Sequence, residues 1–249
     1  MLAELLELAP AGFEQVDGDG FVEFALYGAP GELPTLPTGP ADLGGIRVEV
    51  SGSELDDDWA DRWREFHQPI AIGRLYVRPP WSEPRKDSID VVIDPAQAFG
   101  TGAHPTTRLS LELLLELSPA PLVDLGCGSG VLAIAAAKLG FSPVIALDHD
   151  PAAVEATIDN SRANGVTLER VERYDLRELP APVAPVMTAN LMRPLLLRVA
   201  ELLPEQPETL IVSGLLEGEE EEVAAAFTPL RERRRLRLQG WSALLMTRP

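Results

Sequence analysis

The feature that most constrains the fold is an apolar strand that runs through a glycine-rich turn straight into an apolar helix. Residues 122–130 read Leu-Val-Asp-Leu-Gly-Cys-Gly-Ser-Gly, and residues 131–138 read Val-Leu-Ala-Ile-Ala-Ala-Ala-Lys. Glycines allow the backbone to approach a bound small molecule closely, and a helix N-terminus offers N–H groups to it. The stretch therefore predicts a ligand-binding turn in an α/β sheet.

Apolar runs alternate with helical patterns from residue 89 to the end of the chain. Strands are predicted at 89–93, 121–125, 144–148, 168–173, 186–190, 209–214, 233–238 and 241–247. Helices are predicted near 105–117, 129–139, 151–164, 193–203 and 218–227. This alternation is typical of a doubly wound, mostly parallel sheet of the α/β class. The last two strands follow one another across Gly240 with no helix between them, so one of them is expected to run antiparallel.

The first 53 residues predict a small α+β domain rather than a continuation of this pattern. A helical pattern at 2–8 precedes strand signals between Phe13 and Leu26 and at 46–50, with a connector at 28–40. The chain is predicted to comprise an abbreviated N-terminal domain, a linker helix and the main domain, at residues 1–53, 54–66 and 67–249.

The net charge of −18 argues against a nucleic-acid-binding protein, which needs a basic surface. The densest basic run, Arg231 to Arg237, is interpreted as an exposed strand edge. Residues 1–58 carry thirteen acidic side chains and one arginine, which favours either a basic protein partner or simply solubility.

The chain has neither an apolar stretch long enough to span a membrane nor a basic N-terminal signal region. Its longest apolar run, Val131 to Ala137, falls short of the about 20 residues that a spanning helix needs. A single cysteine, Cys127, excludes an internal disulfide and an all-cysteine metal site. We expect a cytoplasmic monomer with no metal ligands.

Two acidic residues distinguish the glycine turn from a dinucleotide site. The turn reads G-x-G-x-G through Gly126, Gly128 and Gly130, rather than the G-x-G-x-x-G of pyrophosphate binders. The charge of Asp124 would repel a pyrophosphate but suits a ligand with an amino group, such as S-adenosylmethionine (SAM). Asp148 ends the next strand, where an acid can accept hydrogen bonds from both ribose hydroxyls. We predict a SAM site here; the alternative is a purely structural turn.

A second polar, glycine-containing loop runs from Ile93 to Thr107. Long loops that follow a strand are often functional. In this loop Phe99 is expected to cover a ligand ring and Thr107 to bind the methionine end of the ligand, and Gly100 is also predicted to bind the cofactor. His104 precedes a proline-initiated helix; a structural role and contact with substrate both stay open for it.

Asn190 ends a buried parallel strand, at the edge where open α/β sheets place their chemistry. Its amide oxygen and the carbonyl of Leu191 form two hydrogen-bond acceptors with no base beside them. This pair is suited to holding an amine. The alternative is that Asn190 is only a turn residue before the next helix.

The chain resembles the ribosomal protein L11 methyltransferase (PrmA) family of class I SAM-dependent protein methyltransferases. The most specific match is Ala-Phe-Gly-Thr-Gly-Ala-His-Pro-Thr-Thr at 98–107, followed by the Asp-Leu-Gly-Cys-Gly-Ser-Gly stretch at 124–130. Further matches are Ala-Asn-Leu at 189–191, Asp58-Trp59 with Trp63, Ile72-Gly73, and Gly-Trp-Ser-Ala-Leu-Leu at 240–245. The resemblance covers about residues 54–249.

The resemblance implies a function as well as a fold. It places Thr107, Gly126, Asp148 and Asn190 at the family's cofactor-contacting positions. It implies methylation of lysine side chains and of the N-terminal α-amine of a ribosomal protein, which a separate N-terminal domain docks. Three alternatives remain: another protein lysine or a small amine as acceptor, a non-catalytic SAM-binding module, and, disfavoured by the turn spacing, a nicotinamide dehydrogenase.

Overall fold

The structure is a computed structural model, and the chain divides into two compact units, Met1–Phe66 and His67–Pro249. It describes residues 14–18, 21–26, 38–43, 45–52, 67–95 and 102–249. The predicted helical pattern at 2–8 and the predicted linker helix at 54–66 lie outside these residues.

The first unit contains two antiparallel strand pairs among its described residues. Strand β1 (Glu14–Gly18) pairs with β2 (Phe21–Ala25), and β3 (Gly39–Leu43) pairs with β4 (Ile46–Val50). The strand at 46–50 is confirmed. The connector predicted at 28–40 is wrong at its end, because Gly39 and Pro40 are paired with β4 and begin β3.

The second unit opens with a three-stranded sheet. Strand β5 (Ile70–Ile72) is antiparallel to β6 (Leu75–Arg78), which is parallel to β7 (Ile89–Val92). The strand predicted at 89–93 is therefore present, but it pairs with β6 and is not a strand of the large sheet.

A seven-stranded sheet forms the centre of this unit. Its strands are β8 (Leu122–Leu125), β9 (Val144–Asp148), β10 (Arg170–Arg173), β11 (Val186–Asn190), β12 (Thr209–Leu216), β13 (Arg231–Leu238) and β14 (Trp241–Thr247). Their order is β10-β9-β8-β11-β12-β14-β13. Strands β8 to β12 are parallel, and β14 runs antiparallel to both of its neighbours. The predicted single antiparallel strand near the C-terminus is confirmed.

Five helices of the described chain cover the sheet, and each begins within two residues of its predicted start. They are α1 (Pro105–Leu114), α2 (Val131–Lys138), α3 (Pro151–Ala163), α4 (Arg193–Leu202) and α5 (Glu220–Ala226). Three of them, α1, α3 and α4, have proline in the first turn, where its missing N–H costs nothing. None of the helices that the structure describes is long and apolar enough to cross a membrane.

Both faces of the sheet are buried, as expected of a doubly wound fold. Successive strand residues point to opposite faces, so Leu122 packs in one apolar cluster with α1 and α2, whereas Val123 packs in the other with α4 and α5. Covering both faces leaves the carboxyl ends of the parallel strands as the open edge of the sheet.

The arginine-rich run at 231–237 is β13, an edge strand whose first four residues are exposed. Acidic side chains pair with it: Arg234 Nε lies 3.1 Å from Glu116 Oε1, and Arg237 Nη2 lies 2.6 Å from Glu220 Oε1. The interpretation of this run as a solvent-facing strand edge is confirmed.

Candidate active site

The polar residues singled out in the sequence lie at the carboxyl ends of three neighbouring strands. Asp148 ends β9, Asp124 is the penultimate residue of β8, and Asn190 ends β11. These strands are adjacent and parallel, in the order β9-β8-β11. Their side chains are therefore gathered at one edge of the sheet, where open α/β sheets bind ligands.

Asp124 is a buried carboxyl group with one unpaired oxygen. Its side chain is almost entirely buried, and its Oδ1 accepts a hydrogen bond of 2.7 Å from Thr188 Oγ1 on β11. Its Oδ2 is also buried and has no hydrogen-bond partner. Burial raises the pKa of Asp124 to about 7, and the charge of Asp148 adds to the shift. A cationic group beside Oδ2 would stabilise the carboxylate and so offset the effect of burial on this pKa.

The glycine turn is fixed against the end of β9. The N–H groups of Gly126 and Cys127 both donate to the Leu147 carbonyl, at 2.8 and 3.0 Å. The N–H of Gly128 donates to Asp148 Oδ2 at 2.9 Å. Because φ is positive at Gly126 and Gly128, 71° and 52°, these positions favour glycine. The turn is thus held in one conformation by its neighbour strand.

Asp148 accepts one backbone hydrogen bond on each carboxylate oxygen. In addition to Gly128 on Oδ2, the N–H of Asp150 donates to Oδ1 at 3.0 Å. A carboxylate oxygen can accept two hydrogen bonds. His149 Nδ1 also lies 3.3 Å from Oδ1, so Oδ2 is the oxygen of Asp148 that keeps the capacity for one further donor, such as a hydroxyl group.

Asn190 and Thr107 come together although 83 residues separate them in the chain. The Asn190 amide nitrogen donates to Thr107 Oγ1 at 3.4 Å, and Thr107 is fully buried on α1. Because the Asn190 amide nitrogen is directed at Thr107, the amide oxygen is the atom of this side chain that can accept a hydrogen bond from a ligand. The next residue, Leu191, donates its N–H to the Ser213 carbonyl on β12 at 3.1 Å.

The acceptor residues also contact the glycine turn. A Cβ atom at Gly126 would lie 2.3 Å from Leu191 Cδ2, so the Leu191 side chain packs directly over this glycine. Leu191, one of the two predicted acceptor residues, therefore lies against the predicted cofactor turn.

The remaining predicted residues have different outcomes. His104 caps α1: its Nδ1 lies 2.8 Å from Thr106 Oγ1, and its ring packs edge-on against Trp241. Burial lowers the pKa of His104 to about 4, so it is neutral at pH 7. Cys127 is buried and accepts a hydrogen bond from Thr157, and burial raises the pKa of its thiol. Phe99 and Gly100 lie outside the described residues.

Several residues that shape the site were not identified from the sequence. Thr188 holds Asp124; Asn160 on α3 donates to the Ser129 carbonyl of the glycine turn at 2.9 Å; and Ser213 with Gly214 lies against Leu191. One signal was available in advance, because a glycine inside an apolar strand indicates a bulge or a close backbone approach.

Comparison with known proteins identifies the family. The sequence profile described as ribosomal protein L11 methyltransferase (PrmA) matches residues 39–249. The protein named ribosomal protein L11 methyltransferase of Edwardsiella ictaluri is 42% identical over 203 residues, which cover 78% of this chain and 69% of the relative. The protein of the same name from Citrobacter koseri is 42% identical over 183 residues, covering 70% and 62%. The chain thus spans roughly two thirds of the length of these relatives.

Solved structures agree with the sequence comparison. A ribosomal protein L11 methylase from Lactobacillus delbrueckii subsp. bulgaricus superposes with a TM-score of 0.66 at 26% identity, over 73% of this chain and 99% of that one. A tRNA (uracil-54, C5)-methyltransferase from Pyrococcus abyssi shares the fold, with a TM-score of 0.51 at 18% identity over 69% and 45% of the two chains. The seven-stranded sheet is that of class I methyltransferases, and the chain belongs to the ribosomal protein L11 methyltransferase (PrmA) family.

Proposed function

We propose that this protein transfers methyl groups from SAM to amino groups of ribosomal protein L11. Family membership supports the reaction and the substrate. The observation that carries the proposal is the buried, unpaired Oδ2 of Asp124 within one site that also contains Asp148 and Asn190.

The residues at the carboxyl ends of β8, β9 and β11 fit SAM. Its methionine part carries an ammonium group, which would supply the missing partner of Asp124 Oδ2. The acceptor position that remains on Asp148 Oδ2 suits a ribose hydroxyl. Gly126 and Gly128 have no side chain that would keep a ligand away from the turn backbone, and Thr107 lies beside the proposed acceptor residue Asn190. Phe99 and Gly100 stay predicted contacts of the same ligand.

When bound, SAM supplies a methyl group that is already activated, so the task of the chain is to position the acceptor amine. Asn190 Oδ1 and the Leu191 carbonyl accept hydrogen bonds from that amine and direct its lone pair. A lysine has an unperturbed pKa of about 10.4 and an α-amine one of about 7.7–8.0, so the lysine must lose a proton before it can react. The lysine loses this proton to solvent, because neither an amide nor a peptide carbonyl is basic enough to take it. Asn190 and the Leu191 carbonyl then orient the neutral amine.

The substrate assignment follows the family. We assign lysine side chains and the N-terminal α-amine of ribosomal protein L11 as acceptors, and the unit Met1–Phe66 as the part that docks it. The acidic surplus of residues 1–58 complements a basic ribosomal protein. A protein with this substrate acts in the cytoplasm, and we propose that it does so as a monomer without binding nucleic acid directly.

Methyl-labelled SAM tests the proposal. The protein is incubated with it and either purified ribosomal protein L11 or total ribosomal protein, and the labelled bands are identified by mass spectrometry. We expect label on L11 in both mixtures. Asn190→Ala should label poorly, whereas Asp159→Asn, a change at an exposed surface residue, should label as the unchanged protein does.

Two results would redirect the assignment. Label on a different protein would keep the chemistry but change the acceptor. Binding of SAM by calorimetry without any labelled product would indicate a binding module rather than an enzyme.

A further inference from the structure

Strand β12 is irregular where it passes the acceptor residues. Its register against β14 shifts between Ser213 and Leu215, and Gly214 at the shift has a φ of 85°. Irregularities of this kind re-aim the chain locally and are over-represented next to active sites. The irregularity follows directly after Ser213, the partner of Asn190 in the parallel register of β11 and β12.

Gly214 allows an unusually close approach to Leu191. A Cβ atom at this position would lie 2.3 Å from the Leu191 carbonyl oxygen, 2.7 Å from its carbonyl carbon and 3.1 Å from its nitrogen. These are backbone atoms, which cannot rotate aside as the end of a flexible side chain can. Any larger residue at 214 must therefore displace the Leu191 carbonyl or β12 itself.

Ser213 connects the same point to α1. Its carbonyl accepts the Leu191 N–H at 3.1 Å, and its Oγ donates to the Thr106 carbonyl at 3.1 Å. Ser213 is fully buried. The residue after Thr106 is Thr107, which accepts the hydrogen bond from Asn190. One residue of β12 thus holds both sides of the Thr107–Asn190 pair.

We propose that the bulge formed by Ser213 and Gly214 is the positioning element for the acceptor amine. It fixes the Leu191 carbonyl through Gly214, and it fixes the Thr107–Asn190 pair through Ser213. Both are positioning residues, since they act through Leu191, Thr106 and Asn190 rather than on the amine itself. This inference rests on the proposed function. It adds that Ser213 and Gly214 determine where the groups that bind the acceptor amine lie.

Gly214→Ala is the direct test. The added methyl group collides with the Leu191 carbonyl, and small misplacements of a reacting group cost up to about a hundred-fold in rate. We expect the single-turnover methylation rate to fall by about ten-fold or more, with the dissociation constant of SAM changed by less than about two-fold. A loss of SAM affinity that matches the loss of rate would overturn the positioning role.

Gly165→Ala is the matched control. Gly165 also has a positive φ, 64°, but a Cβ there meets nothing within 4 Å, so it carries the backbone strain without the collision. Its rate should equal that of the unchanged protein. A Gly214→Ala variant as active as this control would overturn the inference.

Ser213→Ala decides the question if Gly214→Ala does not fold. It removes the hydroxyl that lies 3.1 Å from the Thr106 carbonyl oxygen and 3.4 Å from the Ser242 carbonyl oxygen, and it adds no atom. We expect a several-fold lower rate at unchanged SAM affinity; an unchanged rate would overturn the inference.

If the unchanged protein binds SAM but methylates no acceptor, the proposed function fails and the inference fails with it. If it methylates and both variants match it, only the inference fails.

Discussion

Asp124 shows how a single buried carboxyl group can report on ligand binding. Burial raises its pKa to about 7, although the hydrogen bond from Thr188 and the backbone N–H of Ala133 both act in the opposite direction. The acid is therefore partly protonated at neutral pH when no cation lies beside Oδ2. A bound ammonium group would favour the carboxylate and so lower the pKa of Asp124.

This shift predicts that SAM binding releases a proton. Below pH 7 the free protein holds a proton on Asp124 that binding must expel, so affinity should fall as pH falls. Between pH 5.5 and 7 the α-amino group of SAM stays mostly protonated, given an unperturbed pKa of about 7.7–8.0. We expect affinity to rise about ten-fold across this range, with a proton release that calorimetry in buffers of different ionisation enthalpy measures.

The matched variant is Asp124→Asn, which keeps the shape of the side chain but has no titratable group. Its SAM affinity should be lower at pH 7 and nearly independent of pH over the same range. If the unchanged protein shows the same flat profile, then Asp124 does not contact the ammonium group.

Asn190 and Asp148 are predicted to have separable roles. Asn190→Ala removes a proposed acceptor of the amine, so single-turnover methylation should fall by about a hundred-fold while the SAM dissociation constant changes less than about three-fold. Asp148→Ala removes both the Gly128 contact and the proposed ribose acceptor, so it should weaken SAM binding by about ten-fold or more. Calorimetry and single-turnover assays separate the two. Equal losses of binding and rate in Asn190→Ala would show that its role is misassigned.

At the scale of secondary-structure elements, most strands and helices could be predicted from local sequence patterns, whereas the contacts between elements could not. The stretch 122–138 has an apolar strand, a glycine turn and an apolar helix in direct succession, so β8 and α2 were predictable from it. The same is true of Asn190 at the end of β11, because the carboxyl ends of parallel strands gather ligand-binding residues. Strands β5 and β6 were missed; with three and four residues they are too short for alternation to be distinctive.

The role of Gly214 could not be predicted in the same way. The glycine itself was visible inside an apolar run, but its importance depends on Leu191, which lies 23 residues away in sequence and directly follows another strand, β11. Thr188 likewise looks like any buried strand residue until the register of β11 against β8 places it opposite Asp124. Pairing register is a property of the folded sheet rather than of either strand.

Helix α3 provides a further prediction at this scale, because its last turns join two loops. Asn160 donates to the Ser129 carbonyl of the glycine turn at 2.9 Å and accepts from the Asp94 N–H at 3.0 Å. One turn later, Asn164 accepts from the Val92 N–H at 2.9 Å. The glycine turn and the end of β7 are therefore held by one face of one helix.

Asn160→Asp should loosen this connection with almost no change in shape. The carboxylate can still accept from Asp94 but can no longer donate to the Ser129 carbonyl, and a buried acceptor pair of this kind costs about 1–3 kcal/mol. We expect a thermal midpoint lower by roughly 2–10 °C and a weaker SAM affinity. Asp159→Asn, the neighbouring exposed position, serves as the control. An unchanged SAM dissociation constant in Asn160→Asp would show that the turn keeps its conformation without α3.

At the scale of the whole molecule, the charge distribution concerns association rather than fold. The net charge is −18, and residues 1–58 contribute thirteen acidic side chains against one arginine. The negative electrostatic field of these residues attracts a basic partner over long distances. Salt screens this attraction, because the Debye length is only about 10 Å at 0.1 M salt. The contacts proposed for SAM are short and largely buried, so the same screening affects them much less.

Salt therefore separates docking of the protein substrate from binding of the cofactor. Raising the salt concentration from about 0.05 to about 0.5 M should lower kcat/KM for ribosomal protein L11 by roughly ten-fold, mainly through KM, because steered association depends steeply on ionic strength. The SAM dissociation constant should change by less than about two-fold over the same range. The control acceptor is a peptide in which a single lysine is flanked by uncharged residues, since it lacks most of the positive charge that the acidic surface attracts. Equal salt dependence for the peptide and for L11 would mean that the acidic surplus serves solubility and does not steer the substrate.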